Sequence, residues 1–229
     1  IGKLAKAAGA EFIVYTDPIS LGVLEAPANY GATICVGDLH GLGLHLNFGG
    51  GQAGFIASHD DMRYITEFKE LVDGMVETTV PGEQGYSVVL IERTHYAMRE
   101  NGKEFTGTQN NLWTAPVAVY LSLMGPKGME EIGHTIMTNA KYAAKKLAGI
   151  PGVSLRFPSV FFKEFVVNFD KTGKTVEEIN QLLLSRQIFG GVDLSRDYPE
   201  LGQSALYCVT ETADKESIDR LAGALQAIL

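Results

Sequence analysis

The chain has 229 residues, of which 45% are hydrophobic and 20% charged, a composition typical of a globular protein with one large or two modest domains. Its net charge of −8 and its pI near 5.1 argue against nucleic acid as a partner, because phosphate contacts need clustered Lys and Arg side chains. With no apolar run near the roughly 20 residues of a membrane span, and no signal peptide pattern, we expect a cytoplasmic protein that does not bind membranes.

The first part of the chain alternates helix and strand patterns. It enters directly, without methionine, into the last part of a helix at residues 1–10, so we expect a fragment whose N-terminal part is missing. Apolar runs at 11–15, 32–36 and 55–58 predict buried strands, and Asp17 follows the first of them. This pattern indicates an α/β fold with a largely parallel sheet, in which ligand sites gather at the carboxyl ends of the strands.

The middle of the chain continues the alternation. A helix is predicted from Ser58, with acidic residues in its first turn, to about Phe68 or Leu71. A strand at 86–92 and a helix at 109–123 follow. Gly125 and Pro126 then break the helix, and a second, long helix is predicted over residues 129–147.

The C-terminal part changes in character. A Thr-Val-Glu-Glu capping box at 175–178 predicts the start of a helix that runs to about residue 187. The other predicted elements are paired strands at 153–157 and 161–169, a strand at 204–209 and a final amphipathic helix at 214–229. The β-β-α-β-α order predicts a small α+β domain at residues 116–229, after part of a larger α/β domain at residues 1–115.

A glycine-rich segment is the first candidate site. Gly49, Gly51 and Gly54 match the Gly-x-Gly-x-x-Gly spacing of dinucleotide-binding loops. In that motif the glycines follow a strand and begin a helix, whereas here a strand pattern follows them. A tight glycine-rich approach to a strand is therefore the better interpretation.

Metal and nucleophile sites receive little support. Asp38, His40 and His45 are close in sequence, but their spacing fits no standard zinc set, so we predict no metal site. Cys35 and Cys208 each lie within an apolar run and are expected to be buried, reduced thiols rather than a disulfide. The sequence also contains no nucleophile-elbow motif.

A polar cluster follows the strand at 86–92. Arg93, His95 and Arg99 precede a segment rich in glycine and asparagine at 102–111. Loops in such positions often carry function, and the alternative is a solvated surface loop without a specific role.

The distribution of lysine is the most informative feature. Residues 7–68 contain no lysine, although Asp17 and the glycine-rich segment 46–55 read like the core of a pyridoxal phosphate (PLP) enzyme. Such enzymes hold PLP through a Schiff base with a lysine and place a carboxylate beside the pyridinium nitrogen. Here the carboxylate is available and the amine is not, so we expect no PLP chemistry from this chain alone. The remaining alternative, a Schiff base on Lys69, would require a lysine on the predicted helix well past the strand end.

Eight segments of the chain share one resemblance, namely residues 17–22, 30–33, 43–50, 54–57, 92–95, 99–100, 110–111 and 120–128. They resemble the P-protein of the glycine cleavage system, glycine dehydrogenase (decarboxylating). The resemblance is to subunit 1, the α-type chain of bacteria that divide the P-protein in two. It covers most of the chain and is patchy after residue 150.

The resemblance implies the fold type I architecture of PLP-dependent transferases, with the later part of the large domain followed by the C-terminal small domain. It implies that a β-type partner subunit supplies the lysine and holds PLP, in a heterotetramer, while no coenzyme is bound covalently here. Asp17 and His40 are then vestigial coenzyme contacts. His95 and Arg99 are expected at the edge of the partner's active site, and no residue of this chain is expected to be catalytic.

The implied reaction is PLP-dependent decarboxylation of glycine and transfer of the aminomethyl group to a lipoyl carrier protein, with this fragment inactive alone. Residues 96–108 differ from the basic loop of the family in length and composition. The chain is therefore either a divergent α-type subunit or a paralogue with an altered partner or substrate. The alternative function is a non-catalytic scaffold or regulatory paralogue with the same fold.

Overall fold

The computed structural model describes residues 1–44, 46, 52–104 and 110–229. The chain divides into two compact units. The first contains Ile1–Pro18 and Leu24–Leu123, and the second contains Ile19–Val23 and Met124–Leu229. The domain boundary expected between residues 115 and 116 stays a prediction.

A small sheet organises the first unit. Helix α1 (Gly2–Ala7) precedes strand β1 (Ile13–Tyr15), which pairs in parallel with β2 (Ile34–Asp38). Strand β3 (Gly54–Ser58) pairs with the other side of β2, but antiparallel. The expectation of a largely parallel sheet is therefore wrong for β3. Antiparallel neighbours need no crossover helix, and the sequence between β2 and β3 is glycine-rich without a helical pattern.

A hairpin follows this sheet. Helix α2 spans only Met62–Ile65, with the Asp61 side chain accepting a hydrogen bond from the backbone N–H of Arg63, so the predicted extension to Phe68 or Leu71 is wrong. Strands β4 (Val72–Glu77) and β5 (Gln84–Val89) pair antiparallel. Strand β4 was not predicted, although its residues alternate between half-buried and exposed, the period-two signal of a strand.

A long helical stretch, α4 (Thr114–Ala148), comes after a short helix α3 (His95–Met98). The predicted break is confirmed, because Gly125 has non-helical backbone angles (φ 59°, ψ −177°) and is followed by Pro126. The predicted helix start at residue 109 lies outside the described residues. In the described part, a 3₁₀ turn at Asn111–Trp113 precedes the helix.

The second unit contains the predicted small α+β arrangement with one additional short strand. Its elements are β6 (Ser154–Leu155), β7 (Glu164–Asn168), α5 (Val176–Leu184), β8 (Val192–Asp193), β9 (Ser204–Cys208) and α6 (Lys215–Ile228). The sheet order is β6-β7-β9-β8 with antiparallel neighbours. The capping box is confirmed: the Thr175 hydroxyl accepts from the Glu178 N–H (3.2 Å), and the Glu178 carboxylate accepts from the Thr175 N–H (2.8 Å).

One apolar core holds the second unit together. Leu147, Phe169, Leu183 and Leu225 belong to it, and each has 0% of its surface exposed. At the rim of this core, Asp219 accepts hydrogen bonds from Lys146 Nζ (2.8 Å), Lys215 Nζ (2.6 Å) and Tyr142 Oη (2.7 Å).

These donors, Lys146 first, hold the pKa of the Asp219 carboxyl well below its usual range. The carboxylate therefore links α6 to the later part of α4 within this unit.

Among the described residues, no helix combines the length and apolarity that a membrane-spanning segment requires.

Candidate functional site

A cleft lies at the carboxyl ends of β1 and β2 in the first unit. Because the two strands are parallel, with Tyr15 opposite Val36, the residues that follow them meet at the same edge of the sheet. The cleft has a volume of about 930 Å³. Its described lining residues are Tyr15, Val36, Gly37, Asp38, His40, Gln52, Ala53, Gly54, Glu70, Asn110, Asn111 and Thr114.

Hydrogen bonds position Asp38 in this cleft. Its carboxylate accepts from the Tyr15 hydroxyl (2.5 Å) and from the backbone N–H of His40 (2.9 Å). The Nδ1 atom of His40 is buried and has no hydrogen-bond partner within the described part of the chain. Gly37 permits the close approach of the strands, since a Cβ there would clash with the carbonyl oxygen of Thr16. At this edge of the sheet the backbones of β1 and β2 are therefore closely packed, and the side chains are polar.

The two predicted coenzyme contacts are placed differently. His40 lines the cleft, whereas Asp17 is half-buried and is not among the described residues that line it. Asp17 directly precedes a 3₁₀ turn at Pro18–Gly22. The sequence analysis considers Asp38 only as a metal ligand, whereas in the structure Asp38 is the last residue of β2 at this same edge.

The lining of the cleft does not fit PLP held as a Schiff base. PLP needs a primary amine for covalent attachment, and its phosphate is normally neutralised by donors or cations. The described lining contains the carboxylates Asp38 and Glu70 but neither lysine nor arginine. Lys69 is exposed, lies beyond the end of α2 rather than on a helix, and is not among these lining residues.

The predicted polar cluster separates into a buried and an exposed part. Arg93 is only 5% exposed, and its guanidinium donates to the backbone carbonyls of Thr66 (3.4 Å), Phe68 and Glu70 (3.2 Å). Arg93 thus fixes the segment between α2 and β4 rather than facing solvent. Arg99 is exposed, and its φ of +49° lies in the region that favours glycine.

His95 pairs with Glu104, a residue that the sequence reasoning did not identify. One carboxylate oxygen of Glu104 accepts both the backbone N–H and the ring Nδ1 of His95. Although burial opposes the charge, these hydrogen bonds hold the pKa of Glu104 below its usual value. A carboxylate and an imidazole therefore form a charge-assisted pair next to the start of α3.

The remaining candidates contribute less. Three of them lie outside the described residues: His45, Gly49 and Gly51. Gly54 is the first residue of strand β3, which agrees with the interpretation of this segment as a glycine-rich approach to a strand. Across residues 1–44, 46, 52–104 and 110–229, no group of three or more His, Cys, Asp or Glu side chains is arranged to hold a metal ion.

Neither cysteine is in a disulfide bond. Cys35 is half-buried, and this burial raises the pKa of its thiol. Cys208 is exposed, so the expectation that its thiol is buried is wrong. Cys208 is the last residue of β9, and its partner in β7, Glu164, is exposed as well.

Comparison with known proteins places this chain in a family. The family described as "Glycine cleavage system P-protein" matches residues 1–225. Three relatives are each named "Probable glycine dehydrogenase (decarboxylating) subunit 1". They come from Desulfitobacterium hafniense (37% identity over 100% of this chain and 50% of the relative), Pyrococcus furiosus (36%, 100% and 50%) and Saccharolobus islandicus (38%, 99% and 48%). The chain thus spans about half the length of the curated relatives it matches.

Solved structures agree with this placement. A crystal structure of glycine decarboxylase (P-protein) of the glycine cleavage system, in inhibitor-bound form, superposes with a TM-score of 0.87 at 32% identity, over 100% of this chain and 50% of that one. A sphingosine-1-phosphate lyase from Burkholderia pseudomallei matches with a TM-score of 0.64 at 16% identity, over 99% of this chain and 46% of that one, and shows the fold alone. The expected fold type I is confirmed. The chain belongs to the glycine cleavage system P-protein family.

Proposed function

We propose that this chain is the α-type subunit of glycine decarboxylase and that it works only together with a lysine-bearing β-type subunit. The observation that carries the proposal is the cleft at the ends of β1 and β2, whose described lining residues include carboxylates and no lysine or arginine. A PLP enzyme needs an amine for the Schiff base, and the described lining of this cleft contains none. The name "subunit 1" of the relatives supports a division of the work between two chains.

The residue roles in this proposal follow from their positions. Asp17 and His40, at the carboxyl ends of the parallel strands, are remnants of coenzyme contacts that no longer hold PLP. His95, the first residue of α3, and Arg99, which follows that helix, are exposed and lie at the edge of the active site that the partner completes. In the proposed heterotetramer, PLP bound by the partner supplies the electron sink for decarboxylation of glycine. The aminomethyl group then passes to a lipoyl carrier protein.

The compartment is part of the same proposal. Both cysteines are thiols, and Cys208 is exposed. Exposed thiols persist in reducing compartments, so we place the complex in the cytoplasm.

Exchange of the glycine carboxyl group with bicarbonate tests the proposal. We expect exchange when this chain, in its full-length form, is combined with the β-type subunit of the same organism, and none above background with this chain alone. Omitting this chain should reduce the exchange catalysed by the partner to background as well. Full exchange by the partner alone would contradict the proposal and favour the non-catalytic scaffold.

A further inference from the structure

The pair formed by His95 and Glu104 has the geometry of an oriented imidazole. The Glu104 side chain has 0% of its surface exposed, whereas the His95 side chain is 42% exposed. The carboxylate accepts the hydrogen bond of ring atom Nδ1 and also that of the backbone N–H of the same residue. One buried anion therefore restrains both the backbone and the ring of an accessible histidine.

The segment that carries Glu104 is held in place independently of the pair. A Cβ on Gly102 would lie 2.6 Å from the backbone nitrogen of His95, so only glycine permits this approach. The backbone N–H of Lys103 donates to the carbonyl of Arg93 (3.1 Å), and Lys103 Nζ contacts the Glu67 carboxylate (3.0 Å). These contacts place Glu104 beside His95 through fixed neighbours, not through a chance encounter of two surface side chains.

The chemical consequence concerns the second ring nitrogen. When Nδ1 of a neutral imidazole bears the proton and donates to a carboxylate, Nε2 becomes an acceptor whose direction is fixed. In the described part of the chain, Nε2 of His95 has no hydrogen-bond partner. This is the arrangement in which a third group orients the histidine of a nucleophile–base pair.

Resting on the proposed function, we propose that Glu104 is a positioning residue for His95. It fixes the Nδ1–H tautomer and presents Nε2 as the acceptor for an N–H or O–H donor in the active site that the partner completes. Glu104 lies in the 96–108 segment, where the sequence analysis expects a departure from the basic loop of the family.

The tautomer of His95 can be measured without any coenzyme. We expect ¹H–¹⁵N correlation spectra of the ring nitrogens, recorded where imidazoles are neutral, to show the Nδ1–H form of His95 in the wild-type chain. The peak is assigned by its loss in His95→Gln. Glu104→Ala should shift the ring towards the Nε2–H form, while Glu104→Gln, whose amide oxygen still accepts, should retain Nδ1–H. The proposal would be overturned if His95 of the wild-type chain had the Nε2–H form. It would also be overturned if Glu104→Ala left the tautomer of His95 unchanged.

Kinetics of the assembled complex give a second readout. Glu104→Ala should lower the kcat of glycine–bicarbonate exchange about 10- to 100-fold with little change in the KM for glycine, because only the orientation of the His95 ring is lost. Glu104→Gln should recover part of the rate. In a His95→Ala background, Glu104→Ala should have no further effect, since residues that act as a unit are not additive. Glu100→Gln is the control, because it removes the same charge from a nearby exposed residue. It should leave the rate of exchange unchanged.

The outcomes separate this inference from the proposed function. If exchange depends on this chain but Glu104→Ala keeps the wild-type kcat, the role of Glu104 is refuted and the proposed function stands. If exchange does not depend on this chain, the proposed function fails. The NMR measurement alone then decides whether Glu104 determines the tautomer of the His95 ring. If Glu104→Ala does not fold, as judged by circular dichroism, both readouts are taken from Glu104→Gln, whose loss of the Nδ1–H form would refute the inference.

Discussion

Leu183→Ala is expected to lower the free energy of unfolding of the second unit by about 2–5 kcal/mol. Leu183 has 0% of its surface exposed and belongs to the same core as Phe169 and Leu225. Truncation removes buried methyl groups and leaves a cavity that the surrounding helices and sheet fill only in part. Urea denaturation followed by far-UV circular dichroism measures the loss.

The neighbouring residue provides the matched control. Leu184 follows in the same helix, α5, and 56% of its surface is exposed. Leu184→Ala makes the same change in chemistry and helix propensity, so we expect a change within about 0.5 kcal/mol. Equal losses for Leu183→Ala and Leu184→Ala would mean that the core of the second unit is wrongly identified.

Arg93→Ala is expected to destabilise the first unit by about 2–4 kcal/mol, the second large effect. The guanidinium is buried and donates to the carbonyls of Thr66, Phe68 and Glu70. Removing it leaves these carbonyls without their charged donor and releases the segment that enters β4. The same urea denaturation, read through the fluorescence of Trp113 in this unit, reports the change.

Two further substitutions sharpen this test. Arg93→Lys keeps the charge but loses the planar, multi-donor geometry, so it should recover only part of the lost stability. Arg99→Ala removes an exposed arginine from the same predicted cluster and should have little effect. If Arg93→Ala proves as mild as Arg99→Ala, the buried role assigned to Arg93 is wrong.

Local patterns in the sequence were sufficient for much of the fold. The capping box at Thr175, the break at Gly125 and the strands at both ends of the glycine-rich segment are set by neighbouring residues, and the structure confirms them. The family resemblance supplied the fold type, which the superposition on the P-protein confirms. These features depend on interactions within a few residues or on motifs that are visible as such.

The features that sequence reasoning missed depend on contacts between distant residues. The burial of Arg93 could not be predicted because it requires the carbonyls of residues 66–70, more than 20 positions earlier. Glu104 becomes significant only when Gly102 lets its segment pack against His95. Strand β4 is the exception, since it lies between the predicted helix end and the predicted strand at 86–92, and its period-two pattern is a local signal. By contrast, the absence of lysine from residues 7–68 can be seen in the sequence alone, since it needs no knowledge of contacts.

In the proposed complex, the coenzyme is bound to an amine of the β-type partner and not to this chain. Borohydride reduction of the assembled complex with PLP, followed by peptide mass spectrometry of each subunit, tests it directly. We expect a pyridoxyl group on a lysine of the β-type partner and none on this chain, Lys69 included. A stoichiometric pyridoxyl group on any lysine of this chain would contradict it.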